Sequence, residues 1–446
     1  MTERTVPLPG PPRPLKTPTV AEQKLRSGLR ALAVRKANVP KIELQLVVPL
    51  GRRTPSAAPE RLLARTLTSG TSTRSSVDVA TELQRLGASL DAAASGDGLT
   101  VAGSVLAPNL EPYLDLLNEV LTDATFPAPE ITVERERLVQ EIQIARSQPQ
   151  SLAHEVMRRR LFGKHPYGLV HPEPAAIART GRASIRRVHA ERVQPRDAVL
   201  VLVGDVQPSR ALDRIEGALS AWRRRPAPPA VPDAPVPRMG PTQIADRPGA
   251  VQTNIRLASA IVPPGHRDSY ALECANAIFG GSASSRLFLN IREDKGYTYS
   301  PHSVFHHLRR SSYFEVAADV GTDVTAPALV ETRYELARLA AVEVDKEELD
   351  GVQRYLTGLM ALRIQSQRGL AAALARLAVF GLDIDYLRDY PSRINAVTTT
   401  DVLDVAQRYL APSRIVSVLV GDASRIAGSV QALEPVEVVA GPPVGS

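Results

Sequence analysis

The chain has 446 residues and a net charge of +7, with 43% hydrophobic and 23% charged side chains. This is a soluble globular composition, long enough for two or three domains of roughly 150 residues each. Acidic residues are interspersed among the basic ones and aromatics are only 4%, poor material for base stacking, so nucleic acid is excluded from the expected partners. The single cysteine, Cys274, rules out an internal disulfide and a four-cysteine zinc site, and suits a reducing compartment. No run of 18 apolar residues occurs and the first residues have no apolar signal core; no membrane partner is expected, and the cytoplasm is the expected location.

In chain order, residues 1–18 are rich in proline and predict an extended arm. A first domain is expected over residues 19–225. It holds an alternating strand at Ile42–Val48, then two helices, a strand at Leu99–Val105, further helices, and a Val-rich strand in AVLVLVGD (Ala198–Asp205). The clusters Arg158–Arg160 and Arg223–Arg225 predict solvated helix ends. The proline-rich stretch Pro226–Pro241 marks a linker, placed at residues 226–245. A second domain is expected over 246–435, with strands at Asn254–Val262 and Tyr313–Val320, one long helix over Glu347–Arg368, and the strand of IVSVLVGD (Ile415–Asp422). Residues 436–446 are expected as a tail.

The two domains read as copies. AVLVLVGD matches IVSVLVGD, and VHAERVQP (Val188–Pro195) matches VAQRYLAP (Val405–Pro412). Pro49-Leu50-Gly51 matches Pro263-Pro264-Gly265, and ELQRLGASL (Glu82–Leu90) matches IREDKGYTY (Ile291–Tyr299), with Gly87 over Gly296. Four matches in one order predict duplication of a unit of about 200 residues. The fold class expected is α+β: two tandem homologous domains, each a mostly antiparallel sheet with helices packed mainly on one face.

Three segments carry a family resemblance. Gly280–Ser300, GGSASSRLFLNIREDKGYTYS, resembles the second-domain signature of the pitrilysin, insulinase and mitochondrial processing peptidase family, the inverted-zincin metallopeptidases. GKHPYG (Gly163–Gly168) and ERERLVQEI (Glu134–Ile142) match its first domain. The resemblance runs over roughly residues 20–430 and implies a chain that forms half of a clamshell chamber. Catalytic members carry His-x-x-Glu-His on a helix, where two histidines four residues apart ligate zinc and the glutamate acts as base. The resemblance puts that pentapeptide on Arg61-Leu62-Leu63-Ala64-Arg65. Arginine offers no lone pair to a metal and alanine is no base, so no metal is expected in this chain. Glu141 falls at the third-ligand position, with Glu134 two turns earlier. Either they salt-bridge Arg61 or Arg65, or they are ordinary surface carboxylates.

The other half of the family's active centre is retained: its second-domain Arg and Tyr correspond to Arg292 and Tyr299. Both are donors suited to a substrate carbonyl or a developing oxyanion. On spacing alone a helix-end arginine and a buried strand tyrosine are the favoured reading; the match of the surrounding segment to the family reverses it. The adjacent pairs His154-Glu155 and His306-His307 lack ligand spacing, His165 predicts a turn-fixing role, and Ser284-Ser285 have no nucleophile pattern. The resemblance therefore implies the non-zinc-binding subunit of a heterodimeric zinc metallopeptidase, inactive alone. Its partner is a homologous subunit carrying His-x-x-Glu-His and the zinc, and the shared chamber hydrolyses or processes peptides. The alternative is a non-catalytic structural or peptide-binding subunit of a larger assembly.

Overall fold

The computed structural model describes residues 18–440, so all but Pro18 of the expected arm lies outside the described residues. Two six-stranded sheets account for the strands. The first contains β1 (Val20–Lys24), β2 (Arg30–Arg35), β3 (Lys41–Val48), β4 (Ser89–Ala94), β5 (Leu99–Leu106) and β6 (Val199–Gly204), in the order β1-β2-β6-β3-β5-β4. The second contains β7 (Thr242–Asp246), β8 (Gln252–Ile261), β9 (His302–Leu308), β10 (Ser311–Gly321), β11 (Val416–Gly421) and β12 (Val436–Ala440), in the order β12-β7-β11-β8-β10-β9. Five strands superpose in order and sense. β2 runs parallel to β6 as β7 does to β11, and the remaining pairs of these five are antiparallel in both sheets. The matched glycines behave alike: Gly51 and Gly265 have φ of 68° and 85°, Gly87 and Gly296 of 59° and 64°, a left-handed conformation that costs glycine little.

Alternate residues of one strand feed different cores, as the pleat requires. Ala31 and Ala33 of β2 and Leu200 and Leu202 of β6 join the core under the first unit's own helices. Leu32, Val34, Val199, Val201 and Val203 point the other way and pack on Leu370, Ala371, Leu374 and Leu377, from the second unit's helix Gln367–Val379. The exchange is reciprocal. Leu257 and Leu419 join the second unit's own core. Ala258, Val416, Val418 and Val420 pack on Leu152, Val156, Met157 and Phe162 of the first unit's helix Pro149–Phe162. Each sheet thus carries its own helices on one face and a single foreign helix on the other.

Two segments differ from the sequence expectation of linker and tail. β7 begins inside the stretch expected as linker, and β12 lies in the stretch expected as tail; both are short edge-side strands joined to the second sheet through parallel pairing. β12 is the C-terminal counterpart of β1, which instead pairs antiparallel with β2. The proline-rich stretch is pinned to the first unit, because Arg52 N–H donates to the Pro229 carbonyl (2.7 Å) and Gln194 Nε2 to that of Pro226 (2.8 Å). The expected single helix Glu347–Arg368 is two helices, Lys346–Arg363 and Gln367–Val379. Ser366 breaks it by capping the second helix, its hydroxyl accepting from Gly369 N–H at 2.9 Å. A Cβ on Gly369 would sit 1.8 Å from the Arg363 carbonyl oxygen, so only glycine fits this turn.

The exchanged helix sets a stability prediction. Leu374, 1% exposed between the units, should lose about 2–5 kcal/mol as Leu374→Ala in denaturant unfolding. Leu362→Ala, at a site 66% exposed on the preceding helix, should shift stability by less than about 0.5 kcal/mol.

Candidate functional site

The helix Ala58–Thr66 buries Leu62 and Leu63 in the first core, which leaves Arg61 and Arg65, one turn apart, on a second face. Arg65 is ringed by carboxylates. Its Nε donates to Glu134 at 2.6 Å, and its two Nη atoms donate to both oxygens of Glu141 at 2.9 and 2.8 Å. The fork-to-fork bond with Glu141 is the strong bidentate form. Partial burial opposes the charge on Arg65, but the bonds to Glu141 and Glu134 outweigh it and raise the guanidinium above its ordinary value. Arg61 takes no part in the pair. Its Nη2 donates to the Val170 carbonyl at 3.1 Å, and burial together with the Arg65 charge lowers its pKa. Ala64 is buried and has no polar atom to offer.

A zinc ion does not fit this set. The two residues at the histidine positions are cations, and a guanidinium already neutralises the carboxylate at the third-ligand position. Among the described residues no three His, Cys, Asp or Glu side chains are grouped to hold a metal.

In the second unit the chain brings Arg292 and Tyr299 together. Arg292 lies in the π-type turn Leu289–Asp294. Gly296 reverses the chain, donating its N–H to the Arg292 carbonyl at 3.0 Å. Thr298 then bridges to Val320 of β10, but β9 proper starts only at His302. Tyr299 falls in the unpaired gap and is 80% exposed, the opposite of a buried strand tyrosine. Its ring covers one face of the Arg292 guanidinium at 4.7 Å, while Phe288 covers the guanidinium at 4.4 Å. Glu293 sits 3.4 Å from Arg292 Nε, and the other guanidinium nitrogens make no hydrogen bond within the described residues. Arg292 and Tyr299 line a cleft of about 570 Å³ with Gln252, Asp319 and Gln150, the last from the first unit's exchanged helix.

A polar band not evident in the sequence leads from this cleft toward the first unit. Asp319 pairs with Arg256 at 2.9 Å, and Arg256 approaches buried Glu315 at 3.8 Å. Glu315 in turn meets His306 at 3.1 Å and His154, from the first unit, at 3.7 Å. Burial disfavours the Glu315 charge, yet the two imidazoles outweigh it and hold the carboxyl well below the usual range. His165 fixes its turn: its Nδ1 accepts from Tyr167 N–H at 3.2 Å. The Tyr167 hydroxyl donates to Asp97 at 2.6 Å and accepts from Arg310 N–H, tying the units together.

The Arg65 cluster yields a metal test. The wild-type chain should purify without zinc. Arg61→His/Ala64→Glu/Arg65→His removes the competing guanidinium and should bind about one zinc per chain by elemental analysis. Arg65→Ala alone should cost only about 1 kcal/mol, since the pair is partly solvated.

Comparison with known proteins identifies the family and the fold. Residues 35–174 match the family model described as Insulinase (Peptidase family M16), and residues 181–356 the model described as Peptidase M16 inactive domain. An uncharacterised zinc protease of Mycobacterium tuberculosis is 25% identical over 375 residues, covering 80% of this chain and 82% of the relative. Another, of Streptomyces coelicolor, is 23% identical over 90% of this chain and 89% of its own length. Among solved structures, a peptidase M16 inactive domain from Pseudomonas fluorescens has a TM-score of 0.82 at 23% identity, covering 90% of this chain and 98% of that one. A protease from Helicobacter pylori reaches 0.83 at 20% identity, over 91% of this chain and 100% of its own. The duplicated unit and these matches place the chain in the insulinase or pitrilysin family of peptidases, family M16, as a member of its inactive type.

Proposed function

We propose that this chain is the zinc-free subunit of a heterodimeric peptidase. It faces a homologous subunit that carries His-x-x-Glu-His and the zinc, and the two enclose a chamber in which peptides are hydrolysed or processed. The observation that carries this reading is the Arg292–Tyr299 pair: an exposed tyrosine stacked on a guanidinium whose two Nη groups have no acceptor among the described residues.

Stacking between Phe288 and Tyr299 removes rotamer freedom from the arginine before any substrate arrives, so little ordering remains to be done on binding. The guanidinium and the phenol would donate to a peptide carbonyl, and more strongly to the same oxygen as it gains charge. The helix Ala58–Thr66 offers no group to activate water: Arg65 is neutralised by its carboxylates and Ala64 is inert. Activity therefore rests on the partner. Among the described residues no helix is long and apolar enough to cross a membrane, and we place the pair in the cytoplasm.

The test is peptidase assay and zinc analysis of this chain alone, of a His-x-x-Glu-His homologue alone, and of the mixture. Hydrolysis should appear only in the mixture, with the zinc in the partner. Arg292→Ala should lower kcat about 10²- to 10³-fold, the range for one oxyanion donor, and Tyr299→Phe should lower it less. A stable pair that cleaves equally well with both variants would instead make this chain a scaffold.

A further inference from the structure

On the first unit, away from the Arg292 cleft, a pocket of about 470 Å³ opens between the end of the helix Leu110–Asp123, the helix Arg182–Arg192 and the segment Ala221–Arg225. The volume falls within the range of about 300–1,000 Å³ of small-ligand sites. Four arginines line it, Arg182, Arg186, Arg223 and Arg225, against one carboxylate, Asp123. Arg182 donates through Nε and Nη2 to the Thr125 carbonyl at 3.1 and 3.0 Å, which holds it in place. The guanidinium groups of Arg186, Arg223 and Arg225 make no hydrogen bond or ion pair within the described residues. This contrasts with Arg65, Arg146, Arg256 and Arg286, each paired with a carboxylate. Asp123 forms no ion pair with any of them; its carboxylate accepts from the Thr122 hydroxyl at 2.8 Å, and its single charge is outnumbered four to one.

A second, independent feature lies in the same pocket wall. His189 is only 8% exposed and its Nε2 is buried with no hydrogen-bond partner. The ring packs edge-on against Phe126 at 5.1 Å. The ring donates a hydrogen bond to the Leu121 carbonyl, and the other groups that face it are Asp123 at the end of the helix Leu110–Asp123, Arg186 on its own helix, and Arg225. Burial, reinforced by the Arg225 and Arg186 charges, pushes its pKa down to about 4. A buried polar atom left without a partner is rare in a finished structure and points to a missing one.

We infer that this pocket is a binding site for a small, multiply charged anion of the phosphate class. Clustered guanidinium groups recognise phosphoryl oxygens through paired, charge-assisted hydrogen bonds, and the unpaired charges here raise the local potential that attracts them. An anion seated among Arg186, Arg223 and Arg225 offsets their mutual repulsion and supplies the field that His189 lacks. None of the exposed large hydrophobic side chains belongs to the pocket wall, which favours a soluble anion over a lipid headgroup.

The probe is inorganic pyrophosphate, titrated calorimetrically into the full chain at constant ionic strength. One saturable site is expected, weakened about 10- to 100-fold in Arg186→Ala/Arg225→Ala and unaltered in Arg354→Ala/Arg414→Ala, which removes the same charge from elsewhere. In the unaltered protein the His189 ring resonances should shift on saturation. Absence of saturable binding, equal weakening in both double variants, or binding that leaves the His189 resonances in place would each overturn the assignment.

Discussion

The constraint on which the rest of this structure depends is that its central strands are apolar on both faces. Every residue of β6, VLVLVG, and of β11, VSVLVG, is buried. A unit that covers only one face of its sheet would expose Val199, Val201 and Val203, or Val416, Val418 and Val420, to water. The helices Gln367–Val379 and Pro149–Phe162 each cross to the other unit and remove that exposure. The cost of separating the units is therefore the cost of exposing two cores. The fixed placement this gives lets Gln150, at the start of one crossing helix, line the same cleft as Arg292 and Tyr299.

The helix on which the family resemblance puts the zinc motif leaves no unbalanced charge at Arg65. Glu134 and Glu141 keep a cation between them, because Arg65 reaches both from the helix that in catalytic relatives would present histidine. Removing the ligands alone would have left carboxylates close together, which is unfavourable where solvent is partly excluded. An arginine answers that problem with charge and with fork geometry, and its permanent charge prevents it from acting as a base. The Arg65 cluster is thus electrostatically balanced and offers no base.

Much of the fold was legible because duplication writes each element twice. The paired Val-Gly-Asp strands, the paired Pro-x-Gly turns and Gly87 over Gly296 all fall at equivalent places in the two sheets. Weak local patterns escaped. β2, β7 and β12 are five or six residues long and gain their stability from parallel neighbours distant in sequence, so nothing in their own period announces them. The split at Ser366 was hidden because apolar periodicity continues through the break and only Gly369 records the tight approach. At the site, the helix spacing of Arg61 and Arg65 and the seven-residue spacing of Arg292 and Tyr299 could be read. The His154–Glu315–His306 contact could not, since it joins residues from separate units that meet only through the helix exchange. The runs Arg158–Arg160 and Arg223–Arg225 read alike in sequence, yet Arg158 donates to the Tyr167 carbonyl and lies over Phe162, while Arg223 and Arg225 line a pocket.

The Arg65 cluster and the Arg292–Tyr299 pair differ in their hydrogen bonding. In the first unit the polar groups are closed on one another: the Arg65 fork is bound by two carboxylates and Arg61 by a carbonyl. In the second unit they are more open: Arg292 is held by ring faces and, at one edge, by Glu293 beside its Nε, while its Nη groups make no hydrogen bond among the described residues and Tyr299 stands in water. A residue kept only for stability finds partners inside its own chain, because an unpaired donor gains nothing there. Stacking leaves the in-plane donors of a guanidinium free, which is the way to hold an arginine still while reserving its hydrogen bonds for something that comes from outside. The asymmetry between a closed site and an open one is a difference in where the donors point: inward to the chain's own acceptors at Arg65, outward to solvent at Arg292.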